Sequence, residues 1–313
     1  MPSLELKKYF GVKDVDDSKS LKFEKHPIAH FDLANFKIIP SNIISFKPIV
    51  TNIDSGWIID GRFVVTDNGQ LLGEGFYWSI GSIGNVVTTQ NQKLKVEENS
   101  ENLSIVGFAD DKGNPIKTIR EVEDGELKNS VFLSGFDNLS HFMMEVAPKT
   151  LLFPTLSKEF PNFNTIVLCD LVPKRWINYC IKIASSIDES DLKINIKQIN
   201  SNKAIRFKNI TVISSMTYKD ATSSIHMSVN QAKYFSKLMC KHASSTETKK
   251  PYVLYMSRKN ASHRKTLNQD NLIKIIKKIF PDLKFILEHN IHLLTMDDQA
   301  KLIHNASLII EEG

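Results

Sequence analysis

His141 and Glu145 stand four residues apart in Asp137-Asn138-Leu139-Ser140-His141-Phe142-Met143-Met144-Glu145-Val146-Ala147-Pro148-Lys149, where a cap-like polar start runs into a helical pattern. In an α-helix that spacing puts both side chains on one face. An imidazole beside a carboxylate is equipped to take a proton from a hydroxyl, and either group can serve as the base. A neighbouring carboxylate favours the imidazolium, whereas burial opposes it, so spacing alone does not rank the two. The competing reading is a histidine bonded at the helix N-terminus, with Asn138 or Ser140 as cap, beside a solvated glutamate.

A second stretch, Tyr255-Met256-Ser257-Arg258-Lys259-Asn260-Ala261-Ser262-His263-Arg264-Lys265-Thr266-Leu267-Asn268, leaves a predicted strand and precedes a predicted helix. Arg258 therefore falls just past a strand's C-terminal end, the edge at which open α/β sheets bind ligands. A guanidinium there suits an anion, because it can hold a phosphate through two parallel hydrogen bonds. Arg264 adds a second cation, while Ser257 and Asn268 add groups that bond phosphate or hold the loop. Surface salt bridging is the competing reading for both arginines, since Lys259, His263 and Lys265 make the whole loop basic.

Asn138-x-x-His141-Phe142-x-x-Glu145, followed much later by Ser257-Arg258 and Arg264-x-x-x-Asn268-Gln269, resembles the pattern of glycosyltransferase family 61. Glu288, Thr295-Met296-Asp297-Asp298-Gln299 and Ala306-Ser307-Leu308-Ile309-Ile310 follow in family order, so the resemblance spans roughly residues 130 to 313. Where relatives carry Asn-Glu, this chain has Asn268-Gln269. The resemblance implies an α/β fold of two Rossmann-like lobes in a GT-B arrangement. It also implies inverting transfer of a sugar from a nucleotide-sugar donor to a glycan or lipid-linked saccharide acceptor, as in capsular and other surface polysaccharide biosynthesis. In that scheme His141 or Glu145 is catalytic, and Ser257, Arg258, Arg264, Asn268 and Glu288 belong to the donor site. Guanidinium groups would take the growing charge of the leaving diphosphate, so neither a metal nor another cofactor is expected. Relatives continue into a glycine-containing donor loop where this chain has Glu311-Glu312-Gly313, so the C-terminal lobe is expected to be incomplete. Two other readings stay open: a catalytically silent, glycosyltransferase-like binding or assembly protein, and a transferase using another nucleotide-activated donor, such as a nucleotide-linked polyol phosphate.

The formal charge is +5 over 313 residues and the lysines are scattered, which disfavours a dedicated nucleic-acid binder. That charge is compatible with weak attraction to anionic substrates or to the inner face of a membrane. Cys169, Cys180 and Cys240 show no paired metal-ligand spacing and are odd in number, which points to a reducing compartment. Met1 to Lys8 lacks the apolar core of a signal peptide, and no run is long enough to span a bilayer, so a cytoplasmic protein is expected. Gly81-Ser82-Ile83-Gly84 lacks the third glycine of a dinucleotide fingerprint. Asp297-Asp298 sits at a helix start, where carboxylates meet the helix dipole, so capping is expected there rather than metal binding. Met143, Met144 and Trp176 read as core.

Twelve of the thirteen glycines lie at or before Gly135, dividing a turn-rich part from a part with alternating strands and helices. Residues 1–125 are expected to be a mainly antiparallel β region, with Asn68-Gly69 as a hairpin signal. Residues 126–245 are expected to form an α/β acceptor-side lobe with a parallel sheet covered on both faces. Residues 246–313 are expected to form a partial α/β donor-side lobe, entered through the polar segment 244–251. Arg258→Ala is expected to weaken nucleotide binding by about 1.5 to 3 kcal/mol, the range for a hydrogen bond to a charged group, with the fold intact. Arg258→Lys should restore only part of that, since an ammonium lacks the bidentate fork. Titration calorimetry on both variants is the check, and unchanged affinity in the alanine variant takes Arg258 out of the site.

Overall fold

The computed structural model describes residues 11–12, 23–32, 37–46, 49–67, 94–99, 103–109, 115–119, 121–135, 138–159, 162–188, 192–200, 202–214, 216–219, 225–243, 251–257 and 268–311. The chain divides into two compact units, Met1–Phe235 and Ser236–Gly313.

In the first unit, Asp60-Gly61-Arg62 joins β1 (Ile49–Ile59) to its antiparallel partner β2 (Phe63–Thr66). Asp60 and Gly61 have left-handed φ of 61° and 63°, and the Arg62 N–H donates to the Ile59 carbonyl at 3.0 Å, so the chain reverses tightly before Phe63 pairs with Ile59. The turn lies tight against the rest of the unit. A Cβ on Gly61 would stand 2.7 Å from Cys169 Cα and 2.9 Å from the Ile199 carbonyl oxygen.

The main sheet also contains β3 (Glu121–Phe132), β4 (Thr165–Cys169), β5 (Asn195–Ile199) and β6 (Lys203–Ile213). Its order is Gly11–Val12, β1, β6, β3, β4, β5, with β2 paired to β1 off that path. β3, β4, β5 and β6 run parallel, but β1 is antiparallel to β6. The sheet is thus mixed rather than parallel throughout, because a strand of the N-terminal region enters it. The expected division near residue 125 falls inside β3, which runs on into the α/β part. Contact between the β1–β2 turn and the ends of β4 and β5 means that the sheet curls. Ile58, Val64, Phe132, Val167, Ile199, Ile205 and Phe207 meet in one buried cluster inside the curl.

The expected antiparallel character of the N-terminal region appears in two further groups. Phe23–Asp32 pairs with Lys37–Phe46, and Leu94–Asn99, Leu103–Ala109 and Pro115–Ile119 form a three-stranded antiparallel sheet. Asn68-Gly69 lies outside the described residues.

Helical segments connect the parallel strands. Residues 139–159 link β3 to β4, ending in helix α1 (Phe153–Glu159), and helix α2 (Lys174–Asp188) links β4 to β5. Trp176 of α2 is buried with its ring 5.3 Å from that of Phe142, as expected of core. Met144 departs from its expected core role and is 37 % exposed, because the helical run turns it outward. Ser228 precedes helix α3 (Val229–Ala243), its hydroxyl donating to the Gln231 side-chain oxygen.

The second unit is a three-stranded parallel sheet of β7 (Tyr252–Met256), β8 (Lys284–Glu288) and β9 (Leu308–Glu311), in the order β8-β7-β9. Helices α4 (Gln269–Ile279) and α5 (Met296–His304) make the crossovers. Val253, Tyr255 and Ile276 form its buried centre, with Leu272, Phe280, Phe285 and Ile310 packed against them. The expected cap on α5 is present: Thr295 Oγ1 accepts from the Asp298 N–H at 3.1 Å. The three cysteines are free. Among the described residues no helix is long and apolar enough to cross a membrane.

Gly61→Ala should lower stability by about 2 kcal/mol or more, combining a left-handed backbone with a methyl group forced onto Cys169 and Ile199. Urea denaturation of the variant beside the wild type is the check.

Candidate active site

Asn138 starts the helical run that carries the sequence-predicted pair, its side-chain oxygen accepting from the His141 N–H at 3.2 Å. The run changes pitch twice, from an α-turn (Leu139–His141) to a π-turn (Phe142–Val146) and then to 3₁₀ (Ala147–Leu152). Pro148 supplies the physical reason. It has no N–H to donate, and its ring would clash with a carbonyl one turn earlier in a regular α-helix. Single π-turns of this kind recur at functional sites because they re-aim side chains.

The altered pitch keeps His141 and Glu145 together, with Nδ1 3.2 Å from Oε1. Glu145 is 4 % exposed, so it is not the solvated residue of the competing reading, although the Asn138 cap belongs to both readings. Burial lowers the pKa of His141 below its ordinary 6.5, which leaves the ring neutral at pH 7. An ionised carboxylate can only accept a hydrogen bond. Glu145 in that state holds the ring proton on Nδ1, which puts the ring's lone pair on Nε2.

Lys149, one further turn along, is 2 % exposed and donates from Nζ to the Leu133 carbonyl at 3.1 Å. Burial pushes its pKa down from 10.5 to about 8, while the Glu145 charge acts in the opposite direction. Attraction between the two charges offsets part of the cost of burying them. Sequence reasoning did not assign it a role, yet a signal was present: Lys149 continues the four-residue spacing of His141 and Glu145. Ser134, just beyond β3, has a left-handed φ of 63° and a buried hydroxyl without a hydrogen-bond partner among the described residues.

In the second unit the strand order reverses around β7, and Ser257 directly follows the C-terminal residue of that strand. Ligands of open α/β sheets bind at such switch points. Ser257 is buried, and its N–H donates to the Glu288 carbonyl at 2.9 Å. The Glu288 carboxylate accepts from the Asn290 N–H at 2.7 Å, closing the turn after β8. Asn268 is exposed before α4, where its side chain makes no capping bond. Arg258 and Arg264, like Asp137, lie outside the described residues. His141 and Glu145 are thus brought together in the first unit, and Ser257 and Glu288 in the second. Asp297, read from the sequence as a cap, also accepts from His242 Nε2 at 2.9 Å. Among the described residues no group of three or more His, Cys, Asp or Glu side chains is placed to hold a metal ion.

These features describe a mixed α/β protein in which a half-buried imidazole beside a buried carboxylate is suited to taking a proton from a hydroxyl. The chain belongs to the glycosyltransferase 61 family, whose family model matches residues 139–312, more than half of the sequence. The match begins at the helical run of His141 and extends past β9. Membership supports a glycosyltransferase, with a donor and an acceptor as substrates. No curated protein and no solved structure matches the chain.

Between about pH 8 and 10.5 the unfolded chain holds a proton on Lys149 that the folded chain has released, so stability rises with pH across that window. Below it both states are protonated and the cost of burying the cation is fully present. Relative to Lys149→Met, the wild type should gain up to about 3 kcal/mol over that interval. Urea denaturation of both proteins at a series of pH values measures it, and parallel curves would contradict the assignment.

Proposed function

We propose that this protein is an inverting glycosyltransferase in which His141 is the general base. The observation that carries the reading is the 3.2 Å contact between a neutral, half-buried imidazole and a buried carboxylate. Nε2 takes the proton of an acceptor hydroxyl while that oxygen attacks the anomeric carbon of the donor. The new C–O bond forms as the bond to the leaving nucleotide diphosphate breaks, and the diphosphate departs with the electron pair. Glu145 orients the ring and stabilises the imidazolium that results. Lys149 acts through Glu145 and is a positioning residue.

Ser257 and the basic loop that follows β7 receive the diphosphate in this reading, with Arg258 and Arg264 offsetting its growing charge. Asn268, which closes that loop before α4, and Glu288, whose carbonyl accepts from the Ser257 N–H, complete the donor residues. No divalent ion is needed. In the GT-B arrangement implied by the family resemblance, the first unit activates the acceptor and the second binds the nucleotide sugar. The acceptor is a glycan or lipid-linked saccharide, handled in the cytoplasm or at the inner face of the membrane during surface polysaccharide synthesis.

Turnover of a nucleotide-sugar donor, assayed in EDTA, tests the reading. His141→Ala should cut kcat by about 10²- to 10⁴-fold with donor binding nearly unchanged, because general-base catalysis acts on the acceptor. Glu145→Gln should cost less, through lost orientation of the ring. A stable, fully active His141→Ala protein would place the base elsewhere.

A further inference from the structure

The first unit contains a cavity of about 360 Å³ lined by Asn52, Ile53, Asp54, Asn129, Val131, Leu156, Asn162, Phe163, Asn209 and Thr211. None of these residues takes part in the chemistry proposed above. The cavity lies where β1, β6 and β3 run side by side, against α1 and the residues after it. Its size is at the small end of the range for ligand sites, roughly 300 to 1,000 Å³.

The backbone is specialised at this place. Ladder pairing across the three strands joins Ser55, Lys208 and Lys128, and next joins Ile53, Ile210 and Ser130. The residues passed over are Asp54, Asn209 and Asn129, one from each strand, and all three line the cavity. Asn209 and Asn129 have left-handed φ of 54° and 48°, a conformation that side-chain-bearing residues adopt rarely and asparagine more readily than most. Residues held in such regions gather at ligand sites. One level further along the strands, Thr211 donates to the Asn52 side-chain oxygen at 2.8 Å, which leaves the Asn52 amide nitrogen to donate elsewhere. Among the described residues none hydrogen-bonds the side chains of Asn129, Asn162 or Asn209.

The lining therefore offers amides, each able to donate and to accept, together with one carboxylate acceptor. Neighbouring hydroxyls on a sugar ring each donate and accept as well, and they pair with such groups in the plane of the ring. Val131, Leu156 and Phe163 supply an apolar wall for the ring's C–H face. Among the described residues no lysine or arginine lines the cavity, and Asp54 repels anions, so phosphates and nucleotides are poor occupants. We propose that this cavity is a second saccharide-binding site, taking a neutral mono- or disaccharide unit of a glycan. The inference rests on membership of a glycosyltransferase family and not on His141 acting as base.

Saturation-transfer NMR with lactose, maltose, cellobiose and N,N′-diacetylchitobiose, each at millimolar concentration, tests it without any turnover. At least one of the four should receive transfer from the wild-type protein. The double variant Asn129→Gly/Asn209→Gly keeps the left-handed backbone that glycine adopts freely and removes both amides, so the signal should disappear. Asn162→Ala, at an exposed position outside the strands, should weaken binding at least threefold and serves if the double variant fails to fold. Glu145→Gln should retain the signal even if it abolishes turnover. No transfer from any of the four sugars, transfer undiminished in the folded asparagine variants, or loss of transfer in Glu145→Gln alone would each overturn the proposal.

Discussion

A carboxylate removed from water must be compensated, and the first unit is arranged around that requirement at Glu145. Its neighbours along the helical run are an imidazole four residues before and an ammonium group four residues after, the latter tied to the Leu133 carbonyl at the end of β3. Removing one member of such a set leaves an uncompensated charge in a medium of low dielectric constant, which is costly. The arrangement thus binds the helical run to the central strand electrostatically, while Phe142 and Trp176 bind it to α2 by packing. Burial biases the histidine toward the neutral state, and the contact with Glu145 selects a single tautomer, the state in which it can accept a proton.

Helical pitch is the mechanical part of that arrangement. A regular α-helix through Pro148 would meet a missing donor and a steric clash. The π-turn followed by 3₁₀ geometry accommodates the proline while retaining the His141–Glu145 contact. Local irregularity is a consequence of sequence here, and the site is built on it. The curl of the sheet has a similar origin, in which Gly61 lets the β1–β2 turn press against β4 and β5 without a Cβ in the way. Left-handed asparagines at 129 and 209 then interrupt two neighbouring strands at one level.

Much of the local architecture was legible in the sequence. The strand expected before Ser257 and the helix expected after Asn268 are β7 and α4, because each depends on periodicity within one short segment. Asp60-Gly61 is a hairpin sequence of the same kind as Asn68-Gly69, and its left-handed backbone follows from those two residue types. The burial of Lys149 is a different case. A lysine at a helical position reads as solvated until its burial is known, and burial is decided by segments far away in the chain.

What the sequence by itself determined are properties that need only neighbours along the chain: the cap at Asn138, the common face of His141 and Glu145, the strand end at Ser257, and the ordered pattern that identifies the family. Tertiary structure alone decided which strands share a sheet, bringing β1 of the N-terminal region antiparallel to β6 and making the sheet mixed. It alone decided that Glu145 and Lys149 are buried, and that Asp54, Asn129 and Asn209, remote in sequence, stand side by side. The physical reason is the same in each case. Burial and strand pairing are set by long-range competition for one apolar interior, and that competition leaves no periodic trace in any single segment.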